Sequence, residues 1–224
     1  MLLDNLTFLL SNFPHLHPSS KSFLSAVGDP GKICLTFDDG PDAESTPWFL
    51  QALDEAGVKA TFFMLGSMAQ AFPEVVQQVI EAGHEIGIHG YSHEVYIFKT
   101  QKSLLYDIAK AKGILGDMWG QEPKWFRPPY GLISKKVYNC ALQTGLEPIL
   151  WTNWGRDWKI GRTTYEVLQI ATHNLAPGAT ILLHDSDCTS ARGSWKTSLD
   201  ALVILTKFFK SLGYDMTTLS NHLK

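Results

Sequence analysis

Ile33-Cys34-Leu35-Thr36-Phe37-Asp38-Asp39-Gly40-Pro41 runs from a short apolar segment straight into two adjacent carboxylates and a Gly-Pro turn. An apolar run of this length, closed by turn residues, reads as a buried strand. Its partners lie downstream at regular intervals. Strands are predicted over 33–37, 60–65, 85–88, 124–126, 147–151, 180–183 and 214–217. Helices are predicted between them over 46–56, 73–82, 101–118, 134–144, 164–175 and 195–212. Gly57, Gly83, Gly145 and Gly213 stand just past four of these helices, where a left-handed cap favours glycine. Pro47 falls at a first helical position behind Thr46, read here as the N-cap.

Repeated β–α–β units imply parallel strands with helices packed outside. Such a set can form an open doubly wound sheet or a barrel, and the polar residues choose between them. Asp38 and Asp39 follow the first strand, His89 and His93 the third and Arg127 the fourth; Asp157 trails the fifth and His184 follows the sixth. Five strand ends meeting at one site fit a barrel, whose chemistry sits at the C-terminal face of its strands. The expected fold is therefore α/β, a distorted (β/α)7 barrel in a single domain over residues 32–224. Residues 1–31, rich in Pro, Ser and Gly, read as an irregular lead-in.

The 224 residues are 45% hydrophobic and 18% charged, ordinary for a globular chain. A formal net charge of −3 provides no basic field for nucleic acid. No stretch approaches the roughly 18 apolar residues of a membrane span. Three unevenly spaced cysteines, Cys34, Cys140 and Cys188, imply no disulfide framework. Cys34 reads as a small core residue, and Cys188 has no adjacent base to activate it. No Lys or Arg precedes Lys21, so the positive region of an export signal is not visible. A cytoplasmic location is expected for the sequence as it stands, or a secreted or cell-envelope one if it is trimmed.

One carboxylate with two histidines four residues apart suits a divalent metal bound on one side, and a spare carboxylate could deprotonate water there. Asp38/Asp39 together with His89/His93 supply that set. Arg127, ahead of Pro128-Pro129-Tyr130, is placed to hold a carboxylate ionised. His184, at a strand end, could act as a general acid. Asp42 reads as a turn residue, and His84 with Glu85, at the opposite end of their strand, as structural. No nucleophile elbow, phosphate loop, paired C-x-x-C or dinucleotide fingerprint is present.

Over about residues 32–219 the chain resembles the polysaccharide deacetylase family with a NodB-type domain, carbohydrate esterase family 4. The segment 33–41 is similar to that family's first motif, His89 to His93 to its second, and Arg127-Pro128-Pro129-Tyr130 to its third. Asp157-Trp158 is similar to the fourth motif, and Leu182 with His184 to the fifth. The resemblance implies a distorted seven-stranded β/α barrel. It implies Asp38 as base, and Asp39, His89 and His93 as ligands of Zn2+ or another divalent ion such as Co2+ or Ni2+. Arg127 would orient Asp38, the Tyr130 N–H would hold the oxyanion, and His184 would be the acid oriented by Asp157. Trp158 and Leu182 would shape the acyl pocket. The implied reaction is removal of N-acetyl groups from amino sugars of a poly- or oligosaccharide.

Two positions depart from the family pattern. Gly90 stands where Ser or Thr is usual, which removes a hydrogen bond expected to tie that loop; Trp154 stands where an Asp is frequent. Both bear on which substrate is taken. The alternatives are hydrolysis of another acyl group, formyl or O-acetyl, and a catalytically silent carbohydrate-binding domain. Retention of both Asp38 and His184 argues against the silent reading.

Overall fold

The computed structural model describes residue 24 and residues 26–224. Most of the expected lead-in, with His15 and His17, lies outside the described residues. The central strand β1 (Lys32–Asp38) is buried from Ile33 onward. It is flanked on one side by β2 (Thr61–Met64), β3 (Glu85–Ile88), β4 (Trp125–Phe126) and β5 (Glu147–Pro148), each paired parallel to the last. On its other side come β7 (Thr180–His184) and β6 (Asn153–Trp154), while β8 (Asp215–Met216) pairs with the first two residues of β1. Strands buried on both faces need largely apolar sequence, and β1 to β3 have it, with buried Thr36, Thr61 and Glu85 hydrogen-bonded within the fold.

The helices α1 (Thr46–Glu55), α2 (Gly66–Ala71), α3 (Pro73–Glu81) and α4 (Gln101–Trp119) are followed by α5 (Lys135–Gln143), α6 (Thr164–Ala171), α7 (Ser194–Ser211) and α8 (Leu219–His222). Gly57, Gly83, Gly145 and Gly213 all take positive φ just beyond a helix, as their positions predict. One core joins the helices to the sheet, with Phe37, Phe49, Phe62, Phe126 and Phe209 all fully buried in it.

The sheet is a distorted barrel left open between β5 and β6, which end the strand order. β6 starts past the predicted range, and the strand predicted over 147–151 is reduced to β5. Beyond it the chain changes partners. Ile149 N–H still donates to Phe126 O, Leu150 N–H turns to Leu24 O, and Thr152 N–H reaches Thr180 O beside β7. The short α2 was not foreseen; six residues opening on Gly-Ser carry too little periodicity to read as a helix. The α1 cap is Ser45 rather than Thr46. Thr46 Oγ1 instead accepts from Asp42 N–H and donates to Asp185 Oδ2.

Register brings the strand ends together. Asp38 stands opposite Phe63 on β2 and His184 on β7. Ile88 pairs with Phe126, so His89 and Arg127 emerge side by side.

Candidate active site

Asp39 is the first residue past β1 and adopts φ +81°, a strained value for a residue with a side chain. Its Oδ1 lies 3.4 Å from His89 Nε2 and 3.3 Å from His93 Nε2, and it is buried without a hydrogen-bond partner. Its Oδ2 accepts from Thr189 Oγ1. His89 Nδ1–H donates to Arg127 O at 2.7 Å, which fixes the tautomer and leaves the Nε2 lone pair facing Asp39. The three side chains offer ligand atoms within 4.8 Å of one another. Burial opposes charge on Asp39, but the imidazoles of His89, His93 and His184 gathered around it outweigh burial and hold its carboxyl below the usual range. Burial pushes His93 down to about 4 against the pull of Asp39, so it is neutral at pH 7, as a metal ligand must be. A buried anion with an unmet lone pair between two imidazole nitrogens fits a divalent cation.

Asp38 faces the same space. Arg127 Nη1 donates to its Oδ1 at 2.7 Å, and its Oδ2 is 3.9 Å from His89 Nε2. Arg127 is wholly buried, and such a charge persists only when paired. Besides Asp38 it reaches Thr36 Oγ1 and Leu150 O, both at 2.8 Å, and its guanidinium lies 3.9 Å from the Phe63 ring centre. Across the opening, His184 Nδ1–H donates to Asp157 Oδ1 at 2.8 Å, and His184 N–H donates to Asp157 Oδ2 at 2.8 Å. Ser198 Oγ, from α7, donates to the same Oδ2 at 2.6 Å. Burial opposes charge on His184, but Asp157, with help from Asp39 and Asp38, raises it to about 10. His184 is therefore an imidazolium at neutral pH.

These groups line a cavity of about 330 Å³ with Tyr130, Trp158 and Leu182. Every sequence-predicted site residue that is expected to meet substrate or metal lies on it, while Arg127 and Asp157 stand behind Asp38 and His184. Tyr130 adopts φ +61° in the turn Pro129–Gly131, and its ring packs edge-on against His93 at 4.3 Å. Trp151, Trp154 and Trp158 form a ladder with ring centres 5.5 and 5.3 Å apart, ending on His184. Cys188 Sγ donates to Asp39 O at 3.4 Å, and burial pushes its thiol up to about 12, so it offers no thiolate. Sequence reasoning missed Thr189, Ser198 and the cavity role of Trp151. Single hydroxyls carry no periodic signal, and Trp151 read as the end of a strand.

The loop between the two histidines, with no side chain at Gly90 to tie it, is held by other groups. Gly66 N–H and Ser67 N–H, at the start of α2, donate to Gly90 O and Tyr91 O at 2.9 and 3.0 Å. Further bonds come from Asp107 on α4.

A model of the polysaccharide deacetylase family matches residues 26–149. The chain belongs to that family. A peptidoglycan-N-acetylglucosamine deacetylase of Bacillus cereus is 36% identical over 188 residues, covering 84% of this chain and 66% of that protein. The peptidoglycan-N-acetylglucosamine deacetylase PgdA of Listeria monocytogenes is 38% identical over 191 residues, covering 84% of this chain and 38% of its own. The chain thus spans between about two fifths and two thirds of the length of these relatives. Among solved structures, the Bc1960 peptidoglycan N-acetylglucosamine deacetylase in complex with 4-naphthalen-1-yl-N-oxidanyl-benzamide superposes with a TM-score of 0.81 at 33% identity. That match covers 90% of this chain and 91% of the other. No helix among the described residues is long and apolar enough to cross a membrane.

Proposed function

We propose that this chain is a zinc-dependent deacetylase that hydrolyses the N-acetyl amide of amino sugars in a poly- or oligosaccharide, with peptidoglycan-type glycans as the first substrates to test. One observation carries the reading: the unpartnered Asp39 Oδ1 between His89 and His93, flanked by an Arg-held carboxylate and an Asp-held imidazolium. Asp39, His89 and His93 would hold the ion. When bound, zinc supplies Lewis-acid polarisation of the amide carbonyl and lowers the pKa of water from 15.7 to about 7.

The chain's own groups do the remaining work. Asp38, oriented by its ion pair with Arg127, takes the proton of the attacking water. The Tyr130 N–H, set by its left-handed turn, donates to the oxygen that gains charge at the carbonyl. His184, charged through Asp157, gives its proton to the departing nitrogen, so the C–N bond breaks to a neutral amine and acetate is released. Trp158 and Leu182 close around the acyl methyl. Trp151 and Trp154 line the same cavity, where their rings can meet a sugar. A peptidoglycan substrate would favour the cell-envelope location over the cytoplasmic one.

The test is acetate release from N-acetylglucosamine oligomers and from peptidoglycan fragments, with zinc-loaded protein, a chelated control and Asp38→Asn. Zinc-dependent release that Asp38→Asn abolishes supports both the reaction and the base. Tight binding of one zinc without acetate release from either substrate would refute the deacetylase assignment while leaving the metal site standing.

A further inference from the structure

Between the two histidine ligands run Gly90, Tyr91 and Ser92, and four donors around this loop converge on one carboxylate. Asp107 Oδ1 accepts from Tyr91 N–H at 2.9 Å and from Tyr96 Oη. Its Oδ2 accepts from Ser92 Oγ at 3.0 Å and from Lys99 Nζ at 3.2 Å. Asp107 is only 6% exposed and sits on the buried stripe of α4, in line with Leu104, Ile108, Ala111 and Leu115. An acidic side chain in that stripe costs desolvation that only such a full set of donors offsets.

Gly90 completes the arrangement. It adopts φ +91°, and a Cβ there would collide with Tyr96 Oη and approach Asp107 Oδ1 to 3.1 Å. The phenol thus occupies the place a side chain at residue 90 would take. The loop is held twice over: α2 grips its carbonyls at residues 90 and 91, and Asp107 grips an N–H and a hydroxyl at residues 91 and 92.

We infer that Asp107 is a positioning residue of the metal site, pinning the His89–His93 loop from α4 so that both imidazoles present Nε2 to Asp39. This rests on the metal reading above. The hydrogen bonds of Asp107 go to Tyr91, Ser92, Tyr96 and Lys99 and not to either ligand ring, and neither it nor Ser92 lines the cavity. Its effect should therefore appear in metal affinity rather than in sugar binding. Partners that orient ligands in this way are worth about 10- to 100-fold in metal affinity.

The experiment is zinc competition against a chromogenic chelator, with thermal unfolding of each metal-free protein and steady-state kinetics at limiting and excess zinc. Asp107→Asn is expected to weaken zinc by that 10- to 100-fold, to leave KM for the sugar unchanged, and to recover kcat in excess zinc. Ser92→Ala removes one partly exposed hydroxyl, which also contacts Glu94, and leaves Lys99 on Asp107 Oδ2; it is expected to weaken zinc by a smaller factor with the metal-free protein still folded. Should Asp107→Asn fail to fold, Ser92→Ala decides the matter alone. Wild-type zinc affinity in the folded variants overturns the assignment. Absence of zinc uptake by the wild-type protein overturns the metal reading, and the clamp with it.

Discussion

The two ends of strand β3 treat a buried carboxylate in opposite ways. At its start, Glu85 is saturated: Thr61 Oγ1 donates at 2.8 Å, Trp125 Nε1 and Ser220 N–H at 3.1 Å, and Ser220 Oγ adds a further bond. Past its end, His89 faces Asp39, whose Oδ1 has no partner. A buried polar atom left unmet costs about 1–3 kcal/mol. The first end has removed that cost with protein groups, and the second has left it for a ligand to remove. Parallel barrels divide the labour this way, with stability at the N-terminal rim of the strands and chemistry at the C-terminal rim.

The largest expected effect breaks the functional end. Asp39→Asn removes the one anionic ligand, so zinc uptake should vanish. Acetate release should fall by about 10³-fold or more, since Lewis-acid stabilisation is worth several kcal/mol. The metal-free variant should keep a Tm near wild type, because Asn tolerates the positive φ at position 39 and can still accept from Thr189. A clear loss of metal-free stability would show that Asp39 is structural in the sense that Glu85 is.

Next in size is Asp157→Asn. His184 then loses the strongest charge that holds its proton, and its pKa moves down from about 10. A drop in kcat of about 10²- to 10³-fold is expected, within the span of general acid catalysis. The alkaline limb of the pH–rate profile should shift to lower pH. An unshifted limb would detach His184 from the acid role.

Glu85→Gln sharpens the comparison from the other end. It strips charge from a saturated network and leaves one acceptor as a donor among donors. The expected cost is about 1–3 kcal/mol, about 2–12 °C in Tm for a chain of this size. Zinc affinity and kcat should stay at wild-type values while the protein is folded. Loss of zinc binding would mean that the two ends of β3 are not independent.

The functional end was more legible in the sequence than its supports. Each residue proposed for chemistry directly follows, ends or trails a strand, so an apolar run followed by Asp-Asp, by His-x-x-x-His or by Arg announces itself. Pro148 could have marked its strand as an edge strand, and β5 does end the strand order. Asp107 left a quieter trace, an acid three residues beyond Leu104 and next to Ile108 on a helical stripe that should be apolar. Thr189, Ser198 and Thr36 left none. A hydroxyl that ties a carboxylate or a guanidinium acts through one contact made by the tertiary fold, and no local period encodes it.

The smallest expected effect joins metal site and acid. His184 is raised chiefly by Asp157, with Asp39 and Asp38 adding to it. In the metal-free protein its folded pKa lies above the ordinary 6.5, so its contribution to stability is fully present below about pH 6.5. That contribution drains away as pH rises through about 10. A divalent cation on Asp39 cancels part of the negative field that the imidazolium feels, and it favours the neutral ring. Zinc should therefore lower the pKa of His184, without displacing Asp157 as its dominant partner. Titration of the His184 ring by NMR, with and without zinc, reads the shift directly. A pKa that stayed fixed would mean that Asp157 alone sets the acid and that the two halves of the site titrate independently; a pKa that rose would place the cation elsewhere.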